Sequence, residues 1–278
     1  MSLSRRQLLA HALAASAGAS IAPQAIAQPS QPIRLLVGFP PGGGSDAIAR
    51  LLADRLRHEL GTSVVVDNRP GAGGQIAAQV LKSAAPDGHT LFLSHDHTIS
   101  ILPQVVRKPG FDPVHDFAPV AGIATFVNAL AVSSSTPARN LAEYVQWIGE
   151  EAKRGTVGIP APASTPEFLV KLLGQHYQLD LVAAPYKGSA PMLADQGVGG
   201  FEDLPYYGIY APRATPKAFV ERFSAAVAQV LRQPDVHEQL TALGLSVLYM
   251  TPAQLAEREQ AYTQVWKRII QTSGFKPQ

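Results

Sequence analysis

Three glycines in a row, Gly42-Gly43-Gly44, stand between a short apolar run, Ile33 to Phe39, and a helical pattern of Ile48, Leu51, Leu52, Leu56 and Leu60 that stops at Gly61. Val64-Val65-Val66 then reads as a buried strand, which completes a strand, helix, strand unit of the parallel type. The pattern repeats at once. "RPGAGGQIAA", Arg69 to Ala78, is a second glycine turn ahead of a helix through Leu81, and Thr90 to Leu93 supplies a third strand after "PDG". Such alternation predicts an open, mostly parallel sheet with helices on both faces, and such sheets bind ligands at the carboxyl ends of their strands. Both glycine turns lie at that end.

A second series follows "FDPVHDFAPV": a strand over Asn128 to Val132, a helix over Leu141 to Lys153 opened by Asn140 with Glu143 in capping-box position, and a strand over Thr156 to Ile159. Three later helices are expected to start with Thr as N-cap and Pro at the first helical position, at Thr165-Pro166, Thr215-Pro216 and Thr251-Pro252. The expected organisation is two α/β lobes joined near Val120 to Asn128, with residues 28–124 and 245–278 in lobe 1 and 125–244 in lobe 2. One stretch breaks the pattern. The strand Leu181 to Ala184 and the turn "PYKGSAP" lead to a helix start at Pro191 that ends by Asp195, too short for a crossover to another parallel strand. Lobe 2 is therefore expected to be incomplete near 196–205.

Residues 1–27 stand apart from the core. Arg5 and Arg6 precede an Ala-rich apolar stretch from Leu8 to Ala22, and Ala25-Ile26-Ala27 is a small-x-small cleavage site, so a signal peptide cut near Ala27 is expected. "SRRQLL" also fits a twin-arginine export signal. Two of the 23 Lys and Arg residues lie in that segment, leaving 21 against 21 Asp and Glu, so the mature chain gives no support to a nucleic-acid partner. The absence of Cys excludes disulfides, thiolate metal sites and cysteine nucleophiles. No G-x-S-x-G elbow accompanies Ser133-Ser134-Ser135, so hydrolase chemistry has no foothold.

The glycine loop admits more than one ligand. A Walker loop is excluded because no Gly-Lys-Ser/Thr follows. Gly42 to Ala47 does match G-x-G-x-x-A, with Asp67 ending the second strand, so an exported NAD(P)-dependent oxidoreductase is the rival reading. Against it stand Pro40-Pro41 at the turn and Asp46, a negative charge where pyrophosphate would sit. Two glycine turns on adjacent units favour instead a site where backbone N–H groups and helix N-termini meet one anion. In "SHDHT", Ser94 to Thr98, His95 and His97 flank Asp96, but histidines at i and i+2 diverge and no third ligand follows, so Ser94 and His95 read as polar groups of the cleft rather than as a metal site. Val145, Trp147 and Ile148 read as core, and the mixed charge from Glu257 to Arg268 as a solvated helix face.

The segments "PIRLLVGFPPGGGSDAIARLLADRL", "VVVDNRPGAGGQIAA", "APDGHTLFLS", "DFAPVAGIA", "PYKGSAPMLAD" and "YGIYAPRATPKAFVERFSAAVAQVL", in that order, resemble the Bug-type solute receptors, the periplasmic binding subunits of tripartite tricarboxylate transporters. The resemblance implies a two-lobed Venus-flytrap fold without catalysis or cofactor. Such a receptor, a monomer, would close on a small carboxylate (an amino acid, a di- or tricarboxylate or an aromatic acid) and deliver it to two integral membrane permease subunits. It implies that Pro41, Gly42, Gly43, Gly44 and Ser45, with Gly71, Ala72, Gly73, Gly74 and Gln75, grip one carboxylate through backbone amides and ordered water. It also implies contacts from the opposite lobe by Ser164 and Thr165 in "PAPAST" and by Tyr186 and Lys187 in "PYKG". Relatives carry a few dozen more residues where Asp195 here passes almost directly into "GVGGFEDLPYYGIYAP", which implies that ligand affinity is weakened or lost.

Overall fold

The computed structural model describes residues 31–277 apart from 127, 129, 131, 133–135, 160–163, 186–204 and 273. The expected signal segment, Tyr186, Lys187, the helix start at Pro191 and nearly all of 196–205 lie outside the described residues, as do two positions of the expected strand Asn128–Val132. The elements that matter below are β1 (Ile33–Val37), α1 (Gly44–Leu60), β2 (Val64–Asn68), α2 (Gln75–Lys82), β3 (Thr90–His95) and β4 (Phe117–Thr125). They continue with α3 (Leu141–Gly149), β5 (Thr156–Ile159), α4 (Thr165–Tyr177), β6 (Val182–Pro185), β7 (Tyr206–Pro212), α5 (Lys217–Leu231), α6 (Pro234–Ala242), β8 (Ser246–Met250) and α7 (Pro252–Thr272).

Six strands form one sheet in the order β2-β1-β3-β7-β4-β8, and β5 and β6 pair parallel as a separate two-stranded sheet. The parallel units foreseen from the glycine turns are present, since β1 pairs parallel with both β2 and β3. From there the sheet is mixed: β7 runs antiparallel to β3 and to β4, and β8 antiparallel to β4. Val64 to Val66, expected as a buried strand, is instead an edge strand whose Val65 is 51% exposed.

Both faces of the sheet are covered, which explains why its inner strands are continuously apolar rather than alternating. Leu35 and Val37 of β1 point into one core with Ile48, Leu52 and Leu56 of α1 and Phe223 and Val227 of α5. Leu36, one residue out of phase, joins Phe92, Leu81 of α2 and Tyr262 and Trp266 of α7 on the other face. Each such side chain withdrawn fully from water contributes about 1.5–3 kcal/mol.

The lobe boundary drawn from chain order needs correction. Tyr206–Pro212 is buried at every residue and hydrogen-bonds between β3 and β4 in the large sheet, and the following α5 packs on α1. The residues from 206 to 244 therefore belong with the larger sheet, because "YYGIYAP" is apolar enough to be a central strand and returns there after the excursion through β5 and β6. Among the described residues the small sheet has Val157, Ile159 and Val170 as its own buried core, and α4 ties to the main body through Phe168, whose ring lies 5.5 Å from those of Trp266 and Phe275.

Two helix readings also change. α3 ends at Gly149, and a 3-10 turn over Ala152–Gly155 takes up the rest of the expected span to Lys153. In α7 the residues at helical spacing that face the core are Leu255, Glu259, Tyr262, Trp266 and Ile270, so the span from Glu257 to Arg268 is only partly solvated and carries a buried carboxyl. Trp147 is half-buried beneath the Arg154 guanidinium, 4.7 Å from its ring centre, while Ile148 is core as expected.

Candidate ligand site at the ends of β1 and β3

β1 lies between β2 and β3, so the chain leaves β1 toward one side through α1 and reaches β3 on the other through α2. α1 covers one face of the sheet and α2 the other. The carboxyl ends of β1 and β3 are thus a topological switch point, where two helices start from opposite faces and leave a crevice between their first turns.

Glycine shapes both starts. Gly42 has φ +81°, which a residue with a Cβ adopts only under strain, and Gly43 is the N-cap of α1 with no side-chain cap, so the amides of Gly44 and Ser45 lie at an uncapped N-terminus. In the second turn Gly71, Ala72, Gly73 and Gly74 all have positive φ, and Gly74 caps α2, again with no side-chain cap. A Cβ on Gly38, just beyond β1, would stand 2.6 Å from Gly74 Cα, so the two turns touch backbone to backbone. This contact brings the second turn against the chain that leads into the first, and the starts of two helices, where N–H groups lack intrahelical partners, follow the two turns.

Asp46 fixes the first turn from behind. Its Oδ2 accepts from the Gly42 N–H and from Arg50 Nε, both at 2.9 Å, and its Oδ1 accepts from Asn68 Nδ2 at 3.0 Å. Burial by itself raises the carboxyl pKa, but these donors outweigh it and hold Asp46 below the usual carboxylate range. The negative charge foreseen in this turn is therefore a brace for the loop. In the second turn the Gly74 N–H donates to Gly71 O, Gln75 donates its N–H to Ala72 O and its side-chain amide to Pro109 O at 3.0 Å, and Thr98 Oγ1 donates to Gly73 O at 2.8 Å. With Gln75 so engaged, the open donors of this turn are those of Gly71, Ala72 and Gly73.

The end of β3 forms the floor. Ser94 Oγ and His97 Nδ1 are buried with no partner among the described residues. Burial, reinforced by His95 nearby, pushes the His97 imidazole down to about 4, so it is neutral at pH 7. Among the described residues no group of three His, Cys, Asp or Glu side chains could hold a metal ion. His95 stacks on Phe39 with ring centres 4.9 Å apart and meets the ring of Tyr207 edge-on at 5.5 Å. Tyr207 in turn accepts from Ser45 Oγ at 3.4 Å and lies 5.2 Å from Phe126.

Of the residues expected from the opposite lobe, Ser164 and Thr165 are described and both are buried at the start of α4. Ser164, not Thr165, is the N-cap, and Thr165 Oγ1 donates to Asp96 Oδ2 at 3.4 Å. Asp96 also accepts from Tyr262 Oη at 2.8 Å and lies 3.3 Å from His95 Nδ1, so it joins β3, α4 and α7 beneath the cleft. Sequence reasoning missed Phe126, Tyr207 and Tyr262, and met Phe39 only as the end of an apolar run and Asp96 only as the residue between two histidines. The nearest signal for them was the apolar "YYGIYAP", which marks a central strand but not its neighbours.

A mixed α/β sheet with two glycine-led helix starts at its switch point is an architecture that receives ligands in the crevice beyond its strand ends. The family model for receptors of the tripartite tricarboxylate transporter family (TctC) matches residues 48–200 and 190–275, and the chain belongs to that family. A protein from the tcbD-tcbE intergenic region of Pseudomonas sp. strain P51 is 28% identical over 96% of this chain and 93% of its own. That alignment runs to 314 positions, more than the 278 residues of this chain, so the relative has segments this chain lacks. BugT of Bordetella pertussis is 26% identical, covering 94% of this chain and 95% of its own. Among solved structures, Rpa4515 of R. palustris with adipate superposes with a TM-score of 0.83 at 26% identity, over 90% of this chain and all of that one. The periplasmic binding protein BugD shares the fold with a TM-score of 0.79 at 23% identity, over 89% of this chain and 99% of its own. These relatives include periplasmic binding proteins, as the Bug-type resemblance implied, and no described helix is long and apolar enough to cross a membrane.

Proposed function

We propose that this protein is a periplasmic receptor, exported by a signal peptide cut near Ala27, that captures a small carboxylate for two membrane permease subunits. The observation that supports this reading is the contact of Gly38 with Gly74, which brings the second glycine turn against the chain leading into the first, each turn opening a helix whose cap makes no side-chain bond. Amides in that arrangement favour a carboxylate without an arginine, directly or through ordered water. The adipate in Rpa4515 supports the same ligand class. In this reading Pro41 stiffens the entry to the first turn, and Ser164, Thr165, Tyr186 and Lys187 close from the second lobe. The shortened connection before Tyr206 weakens that closure, a reading supported by two family-model matches that meet at 190–200. The dinucleotide alternative finds no favour in the strand order, because a sheet running β2-β1-β3 is not the 3-2-1-4-5-6 order of that fold.

The test is calorimetry of the mature protein with adipate, succinate, citrate and benzoate, each against its neutral amide. Binding of at least one acid, and of no amide, is expected. A protein that binds none of the acids, or that purifies with a nicotinamide cofactor, would overturn the reading, and micromolar affinity for a dicarboxylate would overturn the claim of weakened closure.

A further inference from the structure

Four rings from four different strand ends meet beside the first glycine turn. Phe39 precedes the turn, His95 ends β3, Phe126 follows β4 and Tyr207 lies at the start of β7. His95 is in ring contact with all three others, at 4.9 Å from Phe39, 5.5 Å from Tyr207 and 6.4 Å from Phe126, and the Tyr207 and Phe126 rings lie 5.2 Å apart. Tyr207 is buried, whereas Phe39, His95 and Phe126 keep part of their surface exposed at the crevice end of the core. The cluster is fastened to the first glycine turn, since Tyr207 Oη accepts a hydrogen bond from the Ser45 hydroxyl at 3.4 Å and stands 4.0 Å from the place a Cβ on Gly44 would occupy.

The charges around the same turns are already matched. Arg50 is bound to Asp46, Arg69 Nε to Asp67 at 2.9 Å, and His97 is buried and neutral. A ligand whose carboxylate sits on the amides therefore meets, on this side and among the described residues, a wall of rings and no open guanidinium.

Resting on the carboxylate-receptor reading, we infer that the cluster of Phe39, His95, Phe126 and Tyr207 selects a flat, aromatic monocarboxylate over a saturated or a second-carboxylate ligand. Stacked or edge-on ring contacts add to simple apolar burial, and a ring joined directly to a carboxylate places its π face or edge against Phe39 and His95 while the acid stays on the turns.

Calorimetric competition on the full mature chain with benzoate, cyclohexanecarboxylate and adipate distinguishes the possibilities. Benzoate is expected to bind roughly three- to ten-fold more tightly than cyclohexanecarboxylate, which matches its size without its π system, and more tightly than adipate. Phe39→Leu keeps an apolar side chain and is expected to erase the preference for benzoate over cyclohexanecarboxylate while both still bind. His95→Gln, checked for folding by its denaturation midpoint, is expected to reduce it. Equal or tighter binding of cyclohexanecarboxylate or adipate, or a benzoate preference that survives Phe39→Leu, overturns the inference and leaves the receptor reading standing. Failure of every carboxylate to bind overturns both.

Discussion

The Tyr262 hydroxyl donates to Asp96 Oδ2 at 2.8 Å and so pins the C-terminal helix to the end of β3, directly under the cleft. Asp96 is 2% exposed, and a buried carboxylate that loses its shortest donor, keeping only the longer contacts of Thr165 and His95, is left with part of its desolvation penalty uncompensated. Tyr262→Phe is accordingly expected to destabilise the fold by about 1–3 kcal/mol. Urea denaturation measures this; a loss below about 0.5 kcal/mol would show that Asp96 does not depend on Tyr262.

Two buried groups make stability depend on pH in opposite directions. Burial, with Asp112 adding to it, raises Glu259 from 4.5 to about 7, so between those values the unfolded chain releases the proton first and stability falls as pH rises. The full penalty, up to about 3 kcal/mol, is present above pH 7 and absent below 4.5. His97, lowered from 6.5 to about 4, does the reverse: the unfolded chain takes up the proton first, so stability is lost as pH falls from 6.5 to 4. Denaturation midpoints across pH 4–8 should show Glu259→Gln gaining on the parent only at the alkaline side and His97→Asn flattening the acid side. Parallel curves for parent and variants would contradict both assignments.

Two glycine substitutions separate the spacing of the turns from their conformation. A Cβ on Gly38 meets main chain that has nowhere to go, whereas one on Gly42 meets nothing within 4 Å and faces only the cost of φ +81°. Gly42→Ala should cost about 1–2 kcal/mol of stability and keep ligand binding, while Gly38→Ala should abolish binding by forcing the turns apart. Comparable affinities for the two variants would remove the Gly38–Gly74 contact from the argument.

The Thr-Pro helix starts offer a graded comparison. Thr251 Oγ1 accepts from the Gln254 N–H at 3.3 Å, and Gln254 returns the bond to the Thr251 N–H at 3.0 Å, a full capping box. Thr215 lies one residue outside its helix, where Pro216 is the N-cap, and its hydroxyl is buried without a partner among the described residues. Thr251→Ala is expected to cost about 1 kcal/mol and Thr215→Val almost nothing, as read from chemical denaturation.

The helix starts also show how far the sequence is legible. Local chemistry located α4, α5 and α7 to within two residues, yet Ser164 and Pro216 replace the expected threonines as caps, Thr165 being drawn to Asp96 and Thr215 buried outside its helix, while Thr251 keeps a local capping box. β1, β2 and β3 with their glycine turns were readable because each unit is contiguous and its period changes at a glycine. The place of β7 was not, because a strand that pairs with β3 across more than a hundred residues leaves no local trace. The same limit applies to the site. The amide turns announce themselves in glycine, whereas the ring cluster gathers residues 39, 95, 126 and 207, and Glu259 looks like any surface acid until Leu255 and Tyr262 are seen to share its face.

In the proposed receptor the backbone contact between Gly38 and Gly74 would divide the labour of recognition between two kinds of inheritance. The anion grip would be written in main chain, set by the glycines and by braces such as Asp46 rather than by the rings. The ring wall is written in side chains and is free to drift. A lineage built this way can exchange one acid for another by single substitutions at positions such as 39 or 126 without ever passing through a form that holds no acid at all.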